Sequence, residues 1–255
     1  MAVLVMHKKY GFTLAEVLIT LGIIGVVAAM TIPVLISNTN GAKYRSQFKK
    51  AVSTMNQAAL MSEAQFGYNF ASTTETCPED KSIAGALHPE ESMSFCAMLN
   101  GTLEGKMYYG KVSDIVVNKK KSFGPYVLNT KDTIPDNYTD YFAYALADGS
   151  IVAFHPDAMN CELPIGRRIT QAMFTGNDNG VDLSHCVGFI DVNGPTLPNR
   201  EVNCSSGVNS VDAGSNCIVE NTANRLLDVF PVVFHDTTVE PASGAAQFVL
   251  DTSKI

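Results

Sequence analysis

The chain has 255 residues, of which 46% are hydrophobic and 17% charged. This composition excludes an intrinsically disordered chain and a membrane protein with many spans, and the length allows one globular domain plus an extended element, or two small domains. The formal net charge of −7 disfavours non-specific binding to nucleic acid or anionic membranes, so we expect no nucleic-acid partner.

The first predicted element is an apolar segment, residues 12–36, with a single ionisable side chain, Glu16. As a helix it would extend roughly 37 Å, enough to cross a bilayer. A secretory signal would need a small-x-small cleavage site after the apolar run, and residues 37–41 form a poor one. A simple membrane anchor leaves Glu16 unexplained, because a charge within the bilayer costs at least about 2.5 kcal/mol. Glu16 should therefore have a partner.

The residues before the apolar run favour a third interpretation. Residues 8–16 read KKYGFTLAE. This stretch resembles the prepilin cleavage motif of type IV pilins and type II secretion pseudopilins. The resemblance implies that a prepilin peptidase cuts between Gly11 and Phe12, usually with N-methylation of Phe12. It also implies that Glu16 pairs with the terminal amine of a neighbouring subunit, which neutralises two charges only in the correct axial register.

The resemblance implies a structural subunit of a pilus or of a secretion pseudopilus, without distinguishing the two. Its partners would be other pilin subunits, the prepilin peptidase, an inner-membrane assembly platform and the membrane itself. Before assembly the chain would span the cytoplasmic (inner) membrane once with its head outside the cytoplasm; afterwards it would lie in an extracellular or periplasmic filament. The alternative is a membrane-anchored extracytoplasmic binding protein or enzyme, for which the segment is only an anchor.

A second helical stretch follows the apolar run. Pro33 removes one helix hydrogen bond and predicts a kink. Periodicity then resumes at residue 42, and we predict a single bent helix over residues 12–66. We therefore divide the chain into a leader over 1–11, a transmembrane or filament-core helix over 12–36, an amphipathic helix over 37–66 and a globular extracytoplasmic head over 67–255. The apolar stripe predicted to pack on the head is Tyr44, Phe48, Val52, Met55, Ala59 and Phe66.

The head begins with a polar loop, followed by a short helix predicted to start at Pro89 and to end at residues 100–101. The strongest strand signal is a hairpin whose turn is Asp148 and Gly149. The predicted fold class is α+β, a long N-terminal helix packed against an antiparallel β-sheet with disulfide-stapled loops, which is also the pilin architecture. Strands are predicted at 115–117, 126–128, 141–147, 150–154 and 186–192, a short helix or strand at 226–230, and a final strand at 247–250.

Six cysteines follow the apolar segment, and an even number there indicates disulfides in an oxidising compartment. Short separation favours the pairs Cys77–Cys96 and Cys204–Cys217, while the full connectivity stays open. Free thiols and a zinc site are the alternatives. Zinc is disfavoured because no CxxC occurs in the sequence. The six candidates are Cys77, Cys96, Cys161, Cys186, Cys204 and Cys217.

A second group of motifs lies near the C-terminus. The elements DxNG, PN and DxF resemble the C-terminal region of pseudopilin-type subunits, some of which bind calcium in a nearby loop. Asp191, Asn193 and Asp228 are hard oxygen ligands suited to calcium, although their spacing is not that of an EF-hand. The alternative is a structural turn, since Asp and Asn bond the backbone and Gly tolerates positive φ. Calcium is thus a candidate ligand, and no cofactor is required.

Catalytic motifs are absent from the sequence, with no GxSxG, HExxH, P-loop or GxGxxG. His155 and His185 are isolated from any partner in sequence, and residues 119–121 are three lysines typical of a solvated turn. We therefore predict that the chain is not an enzyme.

Overall fold

The computed structural model describes residues 12–117, 121–122, 138–176, 178–196, 198–205, 207–212, 217–219 and 227–252. A long helix packs on an antiparallel sheet, so the α+β class predicted from the sequence is confirmed. The predicted strand at 126–128 lies outside the described residues, as do Gly11 and the rest of the predicted leader.

Helix α1 runs over Leu14–Phe66 and ends at Gly67, whose φ of 80° gives a left-handed C-cap. Glycine suits this position because it adopts positive φ without steric cost. The helical backbone continues through Pro33, and the kink there stays a prediction. The predicted apolar stripe is confirmed: Tyr44, Phe48, Val52, Met55 and Ala59 are buried, and Phe66 packs partly buried beside them.

Three short α-helices follow in the part of the chain that the structure describes, and each has a side-chain N-cap. Helix α2 covers Lys81–Ala86, α3 covers Phe95–Thr102 and α4 covers Gly244–Asp251. The helix predicted to start at Pro89 was placed too early. It starts at Phe95, because the Ser94 hydroxyl accepts the bond from Ala97 N, and it continues to Thr102.

The final strand predicted at 247–250 is wrong, because these residues lie in α4. The Ser243 hydroxyl accepts a hydrogen bond from Ala246 N and so caps the helix start. Two alanines in the first turn add high helix propensity. A strand prediction from 247–250 alone misses this upstream cap.

The described residues contain eight strands, β1 to β8, with the bounds Met107–Lys111, Val116–Val117, Lys121–Ser122, Phe142–Ala145, Ile151–Phe154, Val187–Asp191, Val229–His235 and Thr238–Pro241. Six of them form an antiparallel sheet in the order β1-β4-β5-β6-β7-β8, and β2 and β3 form a separate two-stranded ribbon.

The predicted hairpin is confirmed as β4 and β5, with Ala145 opposite Ile151. The predicted strand at 115–117 corresponds to β2 and the one at 186–192 to β6. Residues 229–230 of the segment predicted at 226–230 lie in β7. Strands β1, β3 and β8 were not predicted.

Both faces of the central strands are buried, which explains their continuous apolar sequences. On one face, alternate residues such as Tyr144 and Phe154 join the large core that includes α1 and α3. On the other face, Ala153 and Phe189 lie in a smaller cluster with Ile115. The Phe48 ring of α1 stacks on Phe230 of β7, with ring centroids 4.2 Å apart. Helix α1 is thus an integral part of the head from Tyr44 onward.

Candidate functional site

The N-terminus of α1 is closed by a reciprocal cap. Thr13 is the N-cap residue in extended conformation, and its hydroxyl accepts a hydrogen bond from Glu16 N at 3.3 Å. In return, the backbone N–H and the hydroxyl of Thr13 both donate to Glu16 Oε2 at 2.8 Å. The carboxylate predicted to serve in assembly is therefore held close to the start of the chain that cleavage would leave. Sequence reasoning missed Thr13, although T-x-x-E before an apolar run is a capping-box pattern.

The helix beyond this cap has no covering layer. Residues Leu14–Ile32 are long and apolar enough to cross a membrane, and this window is wholly unburied within the described structure. An exposed apolar surface of this extent indicates lipid or other protein as its natural surroundings. Its exposed large side chains are Leu14, Val17, Leu18, Ile19, Leu21, Ile23, Ile24, Val26, Val27, Met30 and Ile32.

The hydroxyl groups in this segment are satisfied within the helix itself. Thr20 Oγ1 donates to Glu16 O at 2.9 Å, and Thr31 Oγ1 donates to Val27 O at 3.0 Å. This matters because an unsatisfied polar group in hydrocarbon costs several kcal/mol. A Cβ added at Gly22 or Gly25 would meet no atom within 4 Å, so both glycines leave shallow gaps on an open surface. Small residues of this kind let neighbouring helices approach closely.

Residues 6–32 match the family model described as "Prokaryotic N-terminal methylation motif". The chain carries this motif, the signature of type IV pilins and pseudopilins. The resemblance predicted from KKYGFTLAE is thereby confirmed. No curated protein and no solved structure matches the chain significantly. The methylation motif supports a pilin-type precursor anchored in a membrane by its apolar helix.

In the head, the structure brings the three predicted calcium ligands together. Asp191 ends β6 and Asp228 precedes β7, and both side chains are fully buried. Asn193 N donates to Asp191 Oδ1 at 3.0 Å, and the Asn193 side chain bonds Asp228. The three residues thus share one loop cluster, as the motif order suggested.

Backbone donors already occupy these carboxylates. Asn199 N donates to Asp228 Oδ2 at 3.1 Å and Arg200 N to Asp228 Oδ1 at 2.6 Å. When the side-chain amide of Asn199 is rotated so that its nitrogen faces the acceptors, this nitrogen donates to Asp191 Oδ2 at 3.2 Å and to Thr196 O at 2.9 Å. The loop is therefore braced by hydrogen bonds. The buried Asn199, noted in the sequence only as part of the PN element and not as a candidate ligand, belongs to the same cluster.

The two buried carboxylates of this cluster have raised pKa values. Burial raises the pKa of Asp191 well above its usual range, and repulsion from Asp228 adds to the effect. Burial also raises the pKa of Asp228 to about 6. An all-oxygen donor set with two neighbouring carboxylates fits the chemistry of calcium, for which Asp191, Asn193 and Asp228 would supply ligands. The hydrogen bonds show equally that the loop is braced by the chain itself.

All six cysteines are paired. The structure joins Cys77 to Cys96 and Cys204 to Cys217, the two pairs favoured by short separation, and also Cys161 to Cys186. The chain has no free cysteine, so the free-thiol alternative is wrong. His185 lies beside Cys161 and Cys186, but both sulfurs are engaged in the disulfide, which argues against zinc there.

The isolated histidines make structural contacts. His155 Nδ1 accepts a hydrogen bond from Asp157 N at 3.1 Å, and burial lowers its pKa. His185 Nε2 lies 3.0 Å from Met159 O. A third histidine, His235, was not singled out from the sequence. It is buried on β7 and bonds the Asp236 carboxylate through Nδ1 at 3.0 Å.

Proposed function

We propose that this chain is a structural subunit of a type IV pilus or a type II secretion pseudopilus. The observation that carries the proposal is the joint placement of an uncovered apolar helix, a capped carboxylate at its start and a folded head at its other end. An anchor alone needs only the apolar surface. A subunit for assembly also needs a feature that selects one axial register.

Glu16 provides that feature. Cleavage between Gly11 and Phe12 makes Glu16 the fifth residue of the mature chain and creates a new amine on Phe12. In lipid, the carboxylate and the amine of a neighbouring subunit are each costly, and they neutralise each other only when the two chains are correctly staggered. Both Thr13 donors converge on Glu16 Oε2, which orients the carboxylate at the helix start.

The proposed sequence of events begins with a single-pass precursor in the inner membrane whose head lies outside the cytoplasm. A prepilin peptidase removes residues 1–11, and Phe12 is N-methylated. An assembly platform then extracts the helix, and the surface from Leu14 to Ile32 moves from lipid into a filament core formed with other pilin subunits. The filament lies in the periplasm or outside the cell.

The experiment is to shear filaments from cells, purify them and probe for this chain. Recovery of the chain in the filament fraction, dependent on prepilin peptidase, supports the proposal. A chain that stays wholly in the membrane when filaments are present would support the alternative, an extracytoplasmic binding protein or enzyme with a simple anchor.

A further inference from the structure

Helix α1 is strongly basic where it leaves the apolar segment. Its basic side chains all follow the apolar window Leu14–Ile32 within a few turns: Lys43, Arg45, Lys49 and Lys50. No acidic residue occurs in the sequence between Glu16 and Glu63. This stretch is therefore positive, although the whole chain has a formal net charge of −7. The positive charge is concentrated beside the part of the helix that can cross a membrane.

Three of these side chains have no counter-charge in the described structure. Lys50 Nζ bonds Asp148 Oδ2 at 3.0 Å, whereas Lys43, Arg45 and Lys49 form no ion pair among the described residues. Lys43 and Lys49 are exposed, and Arg45 is half-buried. Their charges are thus available to a partner outside the head.

The helix directs this charge away from the sheet and back toward the apolar segment. With 3.6 residues per turn, Lys43 and Lys49 lie on the side of α1 opposite the buried Tyr44 and Phe48. Side chains of an α-helix also lean toward its N-terminus, which here is the membrane end. The basic groups therefore face the membrane surface and not the head.

Their height along the helix matches that of lipid headgroups. The helical backbone is continuous over Leu14–Phe66. At about 1.5 Å per residue, Lys43 lies roughly 10 Å and Arg45 roughly 14 Å beyond residue 36, where the apolar run ends. The headgroup layer starts there and is about 5–8 Å thick. Long basic side chains that extend back along the helix reach this layer, and Lys49, which lies higher, adds a weaker attraction.

We propose that Lys43 and Arg45 bind the phosphate groups of anionic phospholipids while the subunit is stored in the membrane before assembly. The inference rests on the single-pass precursor of the proposed function. In that orientation the outer flank is more basic than the inner one, which has Lys8 and Lys9, and this reverses the usual distribution. A large head is translocated despite such charges. A positive outer flank without counter-charge is explained by a negative surface at the same height.

The contact exists only while α1 spans the membrane. Anionic headgroups attract the basic stretch and repel the rest of the chain, whose net charge is negative. The two effects together orient the head above the surface and set the depth of the apolar segment. Extraction into a filament carries Lys43 and Arg45 away from the headgroups, so assembly must break this contact.

Photo-crosslinking in a defined bilayer tests the contact. A photoreactive amino acid replaces Ala42, which is exposed beside Lys43, and the full chain is reconstituted in vesicles of one part phosphatidylglycerol to three parts phosphatidylcholine. Crosslinked lipids are identified by mass spectrometry. We expect the ratio of phosphatidylglycerol to phosphatidylcholine among them to exceed that of the bilayer about five- to tenfold. The same probe at the exposed Gln57, roughly 22 Å farther along the helix, should label no lipid.

Charge removal provides the matched comparison. Lys43→Gln with Arg45→Gln should bring the lipid ratio to within about twofold of that of the bilayer, as should roughly 1 M salt, which shortens the Debye length to about 3 Å. Lys81→Gln with Arg168→Gln removes the same two charges from exposed positions of the head and should leave the enrichment unchanged. Glutamine retains helix propensity, so the thermal midpoint should stay constant in both variants.

The contrary outcomes are distinguishable. Equal enrichment in the Lys43→Gln, Arg45→Gln variant and the wild type would overturn the lipid contact. Crosslinks from position 42 to a second copy of the chain, in place of lipid, would overturn it as well, while membrane insertion stands. If alkaline carbonate washes the chain off the vesicles, the helix does not span the bilayer, and the single-pass precursor and this inference fail together.

Discussion

Thr13 and Glu16 bond each other across the first turn of α1. Thr13 Oγ1 donates to Glu16 Oε2 at 2.8 Å, and Glu16 N donates to Thr13 Oγ1 at 3.3 Å. The carboxylate in the apolar segment thus already serves its own helix as a cap. The proposed pairing with the Phe12 amine of a neighbour is a second use of the same group. The cap needs only a hydrogen-bond acceptor, whereas the pairing needs a negative charge, so the two uses can be separated.

The first prediction separates them. Glu16→Gln keeps an acceptor for the cap, because glutamine serves in capping boxes as glutamate does. It removes the charge, and an unpaired Phe12 amine within an apolar core costs about 3–5 kcal/mol. We expect normal cleavage and a fall in filament incorporation of at least about a hundredfold. The measurement is the ratio of cleaved chain in filaments to cleaved chain in membranes.

Thr13→Val is the matched control for the cap. It retains the charge of Glu16 and removes the hydroxyl, which should cost about 1 kcal/mol of helix-end stability. Its incorporation should be much closer to that of the wild type. If Glu16→Gln assembles as well as the wild type, the charge-pairing role is refuted.

The second prediction concerns the attachment of α1 to the head. Phe48 is fully buried and stacks on Phe230. Phe48→Ala should lower the free energy of unfolding by about 3–5 kcal/mol, since it leaves a cavity between helix and sheet. We expect the thermal midpoint of the detergent-solubilised chain to fall by roughly 10 °C. Leu60→Ala on the exposed side of the same helix should change it little, and equal losses at both positions would contradict the assigned packing.

The third prediction is a pH dependence set by His235. Burial lowers the pKa of His235, but two carboxylates outweigh this effect: Glu240, whose Oε2 lies 3.8 Å from Nε2, and Asp236, which is bonded to Nδ1 at 3.0 Å. The net pKa is therefore raised above 6.5. The protonated form is therefore favoured in the folded state. Its contribution to stability is complete below pH 6.5 and is lost as the pH rises through the raised folded-state pKa.

The measurement is the free energy of unfolding from chemical denaturation between acidic and alkaline pH. His235→Gln should remove the part of the stability that wild type loses as the pH rises. The difference in free energy of unfolding between variant and wild type should therefore shrink at higher pH. His88→Gln, at an exposed histidine, is the matched control. A difference between His235→Gln and wild type that is constant across the pH range would contradict the assigned ion pairs.

The fourth prediction addresses calcium. The carboxylates of Asp191 and Asp228 already accept hydrogen bonds from the chain, so the head should fold without a cation. Treatment with EDTA should leave the thermal midpoint within about 2 °C, which corresponds to less than 1 kcal/mol for a domain of this size. A larger fall that calcium reverses, and that Asp228→Asn abolishes, would instead show that calcium holds this loop.

Local signals predicted a large part of the fold. The spacing of Tyr44, Phe48 and Val52 identified the buried stripe of α1, because helix periodicity places these residues on one face. Asp148 and Gly149 identified the hairpin turn, which glycine completes with a φ of 86°. Both features depend on residues close together in sequence.

Features that depend on distant residues were not predictable in the same way. The N-terminus of α4 is held partly by Asn209, whose Oδ1 accepts a bond from Ala245 N at 3.1 Å. The His235 contact with Glu240 exists only because β7 and β8 pair in a particular register. At the candidate site, Glu16 was recognised from the motif. The hydrogen bonds of Asn199 to both Asp191 and Asp228 required the fold, because these residues come from separate segments.

The most direct test of the central claim is the intact mass and N-terminal sequence of this chain recovered from filaments. The account predicts a mature chain that begins at Phe12 and carries a methyl group on its amine, with residues 1–11 absent. A filament-associated or membrane-associated chain that keeps an intact leader in cells with active prepilin peptidase would contradict it.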